Sequence, residues 1–153
     1  MKFQHILVTT DLSKAAERAF PFARALAAES GAKITLLHVV EATRVIPHGA
    51  PFAPPMPSPG LDNVVDIARE SCAKQAEAFT GLQVESLVQL AGDVAPTIAQ
   101  VVSEHGCDLV VISTHGRSGL KRLVLGSVAE AVLRHVTVPV LCVPAVAQPT
   151  PDA

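Results

Sequence analysis

Five apolar, β-branched runs constrain this chain more than any other feature: HILVT (5–9), KITLLHVV (33–40), QVESLVQL (83–90), DLVVIS (108–113) and VPVLCV (138–143). Four of them are nearly continuous, the pattern of strands buried on both faces of a parallel sheet. QVESLVQL alternates more and is expected at a sheet edge.

Segments of helical period separate the runs. Ser13 can cap the first, in which Ala16, Ala19, Phe20, Ala23, Leu26 and Ala27 keep one face until Gly31. Pro21 stands inside that segment and is expected to bend it, since proline removes a backbone donor and clashes with the preceding turn. The second runs from Asp62 through Val65, Ala68, Cys72, Ala76 and Phe79 to Gly81, and the third from Asp93 to Gly106 with Pro96 in its first turn. The fourth opens on S-V-A-E at Ser127–Glu130, a capping-box pattern. The alternation gives an α/β fold: a single doubly wound, five-stranded parallel sheet in the flavodoxin-like order 3-2-1-4-5, with helices on both faces.

The expected domain covers residues 1–144. Within it, residues 43–63 carry six of the twelve prolines and read as a long loop. Residues 145–153 read as a frayed tail. Composition excludes several function classes. Hydrophobic residues make up 49%, too many for disorder, yet no apolar run approaches the roughly 20 residues of a membrane helix. MKFQHILVTTDLS turns polar too soon for a signal peptide. A net charge of −2, with no Trp or Tyr, offers neither the electrostatic footprint nor the stacking surface of a nucleic-acid binder. Cys72, Cys107 and Cys142 lack CxxC spacing and read as free thiols in a reducing cytoplasm, Cys142 as a small buried residue. No histidine shows metal-ligand spacing.

Open parallel sheets bind ligands beyond the carboxyl ends of their strands, where strand order reverses. The first strand ends in TTDLS (9–13) and the fourth in STHG (113–116), so both polar segments flank one crevice in this order. The stretch STHGRSGLKRLVLGS, from Ser113 to Ser127, then enters the fourth helix. Gly116 and Gly126 permit close backbone approach, and the amides at that helix start favour an anion. Arg117, Lys121 and Arg122 make the intervening residues basic. Each feature also has a plainer reading. Ser127 can serve as a cap, Gly126 as a tight helix entry, Asp11 as a cap of the first helix, and the basic trio as a solvated face.

These residues together resemble the universal stress protein family. Its nucleotide-binding signature, G-x2-G-x9-G-[ST] after the fourth strand, maps onto Ser113, Thr114-His115, Gly116, the nine residues RSGLKRLVL, Gly126 and Ser127. ILVTTDLS resembles the family's first strand, with its acidic end at Asp11, and LLHVV the second, with Val39 at the position that meets adenine through its backbone. VPVLCVP resembles the last strand, which commonly pairs between subunits. The resemblance spans roughly residues 2–144 and departs at Ser113, where the family has glycine.

It implies an adenine nucleotide site of Thr10, Asp11, Val39, Ser113, His115, Gly116, Arg117, Gly126 and Ser127, holding ATP with Mg2+. It also implies a cytoplasmic homodimer joined through Val138 to Val143 that senses or signals nucleotide state. Two other functions are compatible with the same residues. One is an interaction module that has lost nucleotide binding, motivated by Ser113. The other is a slow ATPase in which Thr114, Ser127 or His115 orients water.

Overall fold

A computed structural model describes residues 2–42, 60–114 and 125–144. The sheet comprises β1 (His5–Thr9), β2 (Lys33–Glu41), β3 (Val84–Ala91), β4 (Leu109–Ser113) and β5 (Val140–Val143). The helices are α1 (Phe20–Ser30), α2 (Gly60–Ala76), α3 (Val94–His105) and α4 (Ser127–His135). All four strand pairings are parallel, in the order β3-β2-β1-β4-β5, as the sequence predicts, with the alternating β3 at an edge.

Side-chain alternation divides the core into two layers. Ile6, Val8, Ile34, Leu36, Leu109 and Val111 pack with Phe20, Ala23 and Ala27 of α1 and with Cys72 and Ala76 of α2. Leu7, Leu37, Val110 and Ile112 face Ala95, Ile98 and Val102 of α3 and Ala129 and Val132 of α4. Both faces of the central strands are therefore dry, which is why their sequences show no alternation.

Several boundaries differ from expectation. Pro21 does not bend a helix: a 3-10 turn over Ala16–Ala19 comes first, and α1 begins at Phe20 with Pro21 in its first turn. The missing N–H is harmless there because first-turn amides lack helical acceptors anyway. Ser13 is not the N-cap of either element, Ala15 and Ala19 holding those positions; its Oγ instead accepts the Ala16 N–H at 3.2 Å in the turn before them. Residues 60–63, expected in the loop, form the start of α2; Pro59 is the last proline of that stretch, and Asp62 suits a helix N-terminus. β5 starts at Val140 because Pro139 has no N–H for the ladder, while the Pro139 carbonyl still accepts from Val110 at 3.0 Å. The expected tail and most of the expected loop lie outside the described residues.

Asp108 precedes β4 and clamps it to β1. Its carboxylate accepts the N–H groups of Gln4 (2.8 Å) and His5 (3.1 Å), and its own N–H donates to the His5 carbonyl (2.9 Å). The buried His5 ring spans the His105 carbonyl at Nδ1 (3.0 Å) and the Thr35 hydroxyl at Nε2 (2.8 Å). Those partners describe a neutral ring that donates from Nδ1. Burial lowers its pKa from the ordinary histidine value; Lys33 and the His105 side chain act the same way, while the His105 carbonyl and Asp108 oppose them.

A depressed histidine pKa means that protons favour the unfolded chain. This part of the stability is complete above about pH 6.5 and disappears as pH falls through the lowered value. Melting temperature is expected to drop on going from about pH 7 to pH 5, and His5→Gln should flatten that slope. An unchanged slope in the variant would assign the acid sensitivity elsewhere.

Candidate functional site

β1 lies at the centre of the sheet, with the chain winding outward to β2 and β3 on one side and to β4 and β5 on the other. Strand order reverses at its carboxyl end, the place where open parallel sheets leave a crevice. β1 stops pairing at Thr9↔Leu37, whereas β2 continues against β3 to Glu41↔Ala91. On β2, Lys33 donates to the Gln4 carbonyl and Leu37 accepts from the Thr10 N–H at 2.9 Å, so odd-numbered residues aim their backbone groups at β1. Ile34 donates to Gln83, so even-numbered ones aim at β3. Val39 is the next odd position. Its N–H and carbonyl therefore face the space that β1 has vacated, while its half-buried side chain packs toward α3 and α4. A longer β1 would offer Val39 the Thr10 carbonyl, but that oxygen accepts from the His38 ring Nδ1 at 2.9 Å.

The turn after β1 is tightly bound. Leu12 has a φ of 66°, the left-handed region that a branched side chain rarely enters. Its N–H donates to Thr10 Oγ1 (2.9 Å), and the Ser13 N–H donates to Asp11 Oδ1 (2.9 Å), which also accepts the Ser13 hydroxyl. Thr10 Oγ1 donates to Gln75 Oε1 on α2 (2.6 Å), and Gln75 Nε2 donates to Glu17 (3.1 Å). The Thr10 N–H, carbonyl and hydroxyl are thus all committed to protein partners. This residue supports the turn, and Asp11, which follows it, is partly exposed.

On the β4 side, Ser113 shares the alternation of Leu109 and Val111 and points to the α1 face. Its Oγ donates to the Ala15 carbonyl at 3.1 Å. α4, whose start carries the rest of the signature, packs on the opposite face. The Cβ that distinguishes Ser113 from glycine is therefore directed away from the α4 layer. The Thr114 N–H donates to Val143 (2.9 Å), and the Thr114 carbonyl accepts the Gly126 N–H (2.8 Å).

Gly126, at φ −63° and ψ 153°, is the N-cap of α4, which moves Ser127 into the first helical position. The expected capping box does not form: Ser127 makes no cap bond, and Glu130 pairs instead with Arg134 one turn on. The first-turn amides of Ser127, Val128 and Ala129 have no acceptor within the helix, the usual condition of an N-terminus. His115, Gly116 and Arg117, together with Lys121 and Arg122, lie outside the described residues.

The described part of the site is therefore a ring: the Val39 backbone edge, the Asp11 turn, the end of β4 and the start of α4. Sequence reasoning missed Gln75, Glu17, His38 and Ala15, which hold that ring. Gln75, Glu17 and Ala15 belong to no motif, His38 lies within LLHVV but was not singled out, and each acts on a residue remote in sequence. Among the described residues, no cluster of three or more His, Cys, Asp or Glu side chains can hold a metal. The thiols are free; Cys72 and Cys107 are buried, and burial raises both pKa values to about 11, far from a nucleophile's range. Cys142 is only partly buried, because β5 is an edge strand. Among the described residues, no helix is long and apolar enough to cross a membrane.

A model of the universal stress protein family matches residues 2–144. The chain belongs to that family. Universal stress protein YxiE of Bacillus subtilis is 31% identical to it over 147 residues, covering 92% of this chain and 99% of the relative. Among solved structures, protein MJ0577 of Methanocaldococcus jannaschii superimposes with a TM-score of 0.79 at 23% identity, covering 97% of this chain and 100% of its own. A universal stress protein crystallised in complex with cAMP superimposes with a TM-score of 0.64 at 25% identity, covering 95% of this chain and 100% of its own.

Proposed function

We propose that this universal stress protein binds an adenine nucleotide, ATP with Mg2+, in the crevice between β1 and β4, and acts in the cytoplasm as a nucleotide-sensing dimer. The observation that carries the reading is the vacated edge of β2. The Val39 N–H and carbonyl form an adjacent donor and acceptor beyond the end of β1, the complement of one edge of an adenine ring. Asp11 lies beside that edge and suits the ribose hydroxyls. The amides of Ser127, Val128 and Ala129 suit a phosphate at a helix N-terminus. Gly116 and Arg117 extend the phosphate path by their match to the family signature, and His115 borders it. A relative of similar fold was crystallised with cAMP, an adenine nucleotide.

Isothermal titration calorimetry with ATP and Mg2+ tests the reading directly. Saturable binding below about 1 mM, a typical limit for weak specific ligands, is the expected result. No heat at that concentration for ATP, ADP or AMP overturns it.

The dimer reading rests on β5. It is an edge strand whose Val140, Leu141 and Cys142 stay partly exposed, and an uncovered apolar edge is a pairing template. Light scattering is expected to give the mass of two chains, and Cys142→Pro, at a position whose N–H faces away from β4, to give one. A wild-type monomer at high concentration would contradict pairing through Val138 to Val143.

A further inference from the structure

We infer that Ser113, the residue at which this chain departs from the glycine of its family signature, is a positioning residue: its hydroxyl braces the Asp11 turn against β4 and preorganises the nucleotide crevice. The inference rests on the nucleotide-binding reading above and deepens it.

The turn from Thr10 to Ala15 has little reason to hold its shape alone. It contains a leucine at φ 66° and lies beyond the last pairing of β1. From the α2 side it is held by Thr10 and Gln75, and internally by Asp11, Ser13 and Ala16. From the β4 side, Ser113 Oγ donates to the Ala15 carbonyl at 3.1 Å, across 98 residues of sequence. Among the described residues, that carbonyl otherwise receives only the Arg18 N–H, at 3.3 Å. Ser113 thus ties together the two strand ends that flank the crevice. A glycine at this position supplies no such bond and also loosens the end of β4.

Steric obstruction is the competing account of the same residue, and strand alternation argues against it. Ser113 shares the face of Val111, with α1, whereas the amides that begin α4 belong to the opposite layer. A preorganised turn binds more tightly because less ordering remains to be done on binding. Removing the brace should therefore weaken binding, although the change restores the family's own residue.

The experiment compares wild type, Ser113→Ala, Ser113→Gly and Ser113→Thr. Amide hydrogen exchange of the ligand-free proteins reads the brace without any nucleotide. Exchange across residues 10–16 should quicken in the alanine and glycine variants and stay near wild type in the threonine variant, which keeps the hydroxyl. Titration with ATP and Mg2+ reads the consequence. Affinity should fall roughly fivefold in the alanine variant, the worth of one neutral hydrogen bond, and roughly tenfold in the glycine variant, where backbone freedom adds to the loss. The threonine variant should recover most of the wild-type affinity. Tighter binding by Ser113→Gly, or unchanged affinity in both hydroxyl-free variants, overturns the inference. Unchanged exchange across residues 10–16 overturns it as well. If wild type binds no adenine nucleotide, the nucleotide reading fails, and the exchange comparison alone decides whether Ser113 braces the turn.

Discussion

Phe79→Ala should cost the fold about 3–5 kcal/mol in urea or thermal unfolding. Phe79 is fully buried in the 3-10 turn after α2, and its ring lies 5.2 Å from that of Phe20 at an interplanar angle of 50°. The pair joins α2 to α1 over the β1–β2 layer, so deletion leaves a cavity bounded by a strand pair and two helices that cannot all close on it. Against a total of about 5–15 kcal/mol for a domain of this kind, that is a fifth or more of the stability. Phe22→Ala supplies the contrast. Its side chain is 53% exposed on α1, and the change should register within about 0.5 kcal/mol. Equal losses in the two variants would refute the packing assignment.

The second large effect concerns binding. Asp11→Ala should weaken ATP roughly 10- to 100-fold, the range for a hydrogen bond to a charged group. The substitution removes two things together, because Asp11 Oδ1 also accepts the N–H and hydroxyl of Ser13. Asp11→Asn separates them. It keeps an oxygen for the Ser13 N–H but removes the charge, so the part of the loss it retains is the part due to the ligand contact. Ser13→Ala removes the hydroxyl alone and should cost no more than severalfold. An Asp11→Ala protein that binds ATP within about twofold of wild type, half a kcal/mol or less, would remove Asp11 from the ligand contacts.

The fold was legible because its strongest constraint is written locally. A strand covered on both faces must be apolar at consecutive positions, so β1, β2 and β4 announce their burial, and the polar alternation of β3 announces an edge. Boundaries were less legible wherever one residue serves two patterns. Pro21 fits a break within a long helix as well as the first turn of a shorter one, and only the preceding 3-10 turn distinguishes them. Ser127 and Glu130 satisfy the spacing of a capping box, but the spacing works only if the helix starts one residue later than it does. At the site, residues carried by chain order were visible: Asp11 at the end of a strand, Gly126 at the start of a helix. The meaning of Ser113 was not, since its partner is a backbone carbonyl and a carbonyl leaves no mark in a sequence. His38 escaped for the same reason, and Gln75 because its side-chain partners, Thr10 and Glu17, are remote in sequence.

The bond between the Thr114 carbonyl and the Gly126 N–H has a consequence for how such a protein changes over generations. A bond between backbone atoms does not depend on side-chain identity, so substitutions at Thr114 leave the end of β4 joined to the start of α4. The polar character of that corner can therefore drift while the strand end and the helix start keep their places.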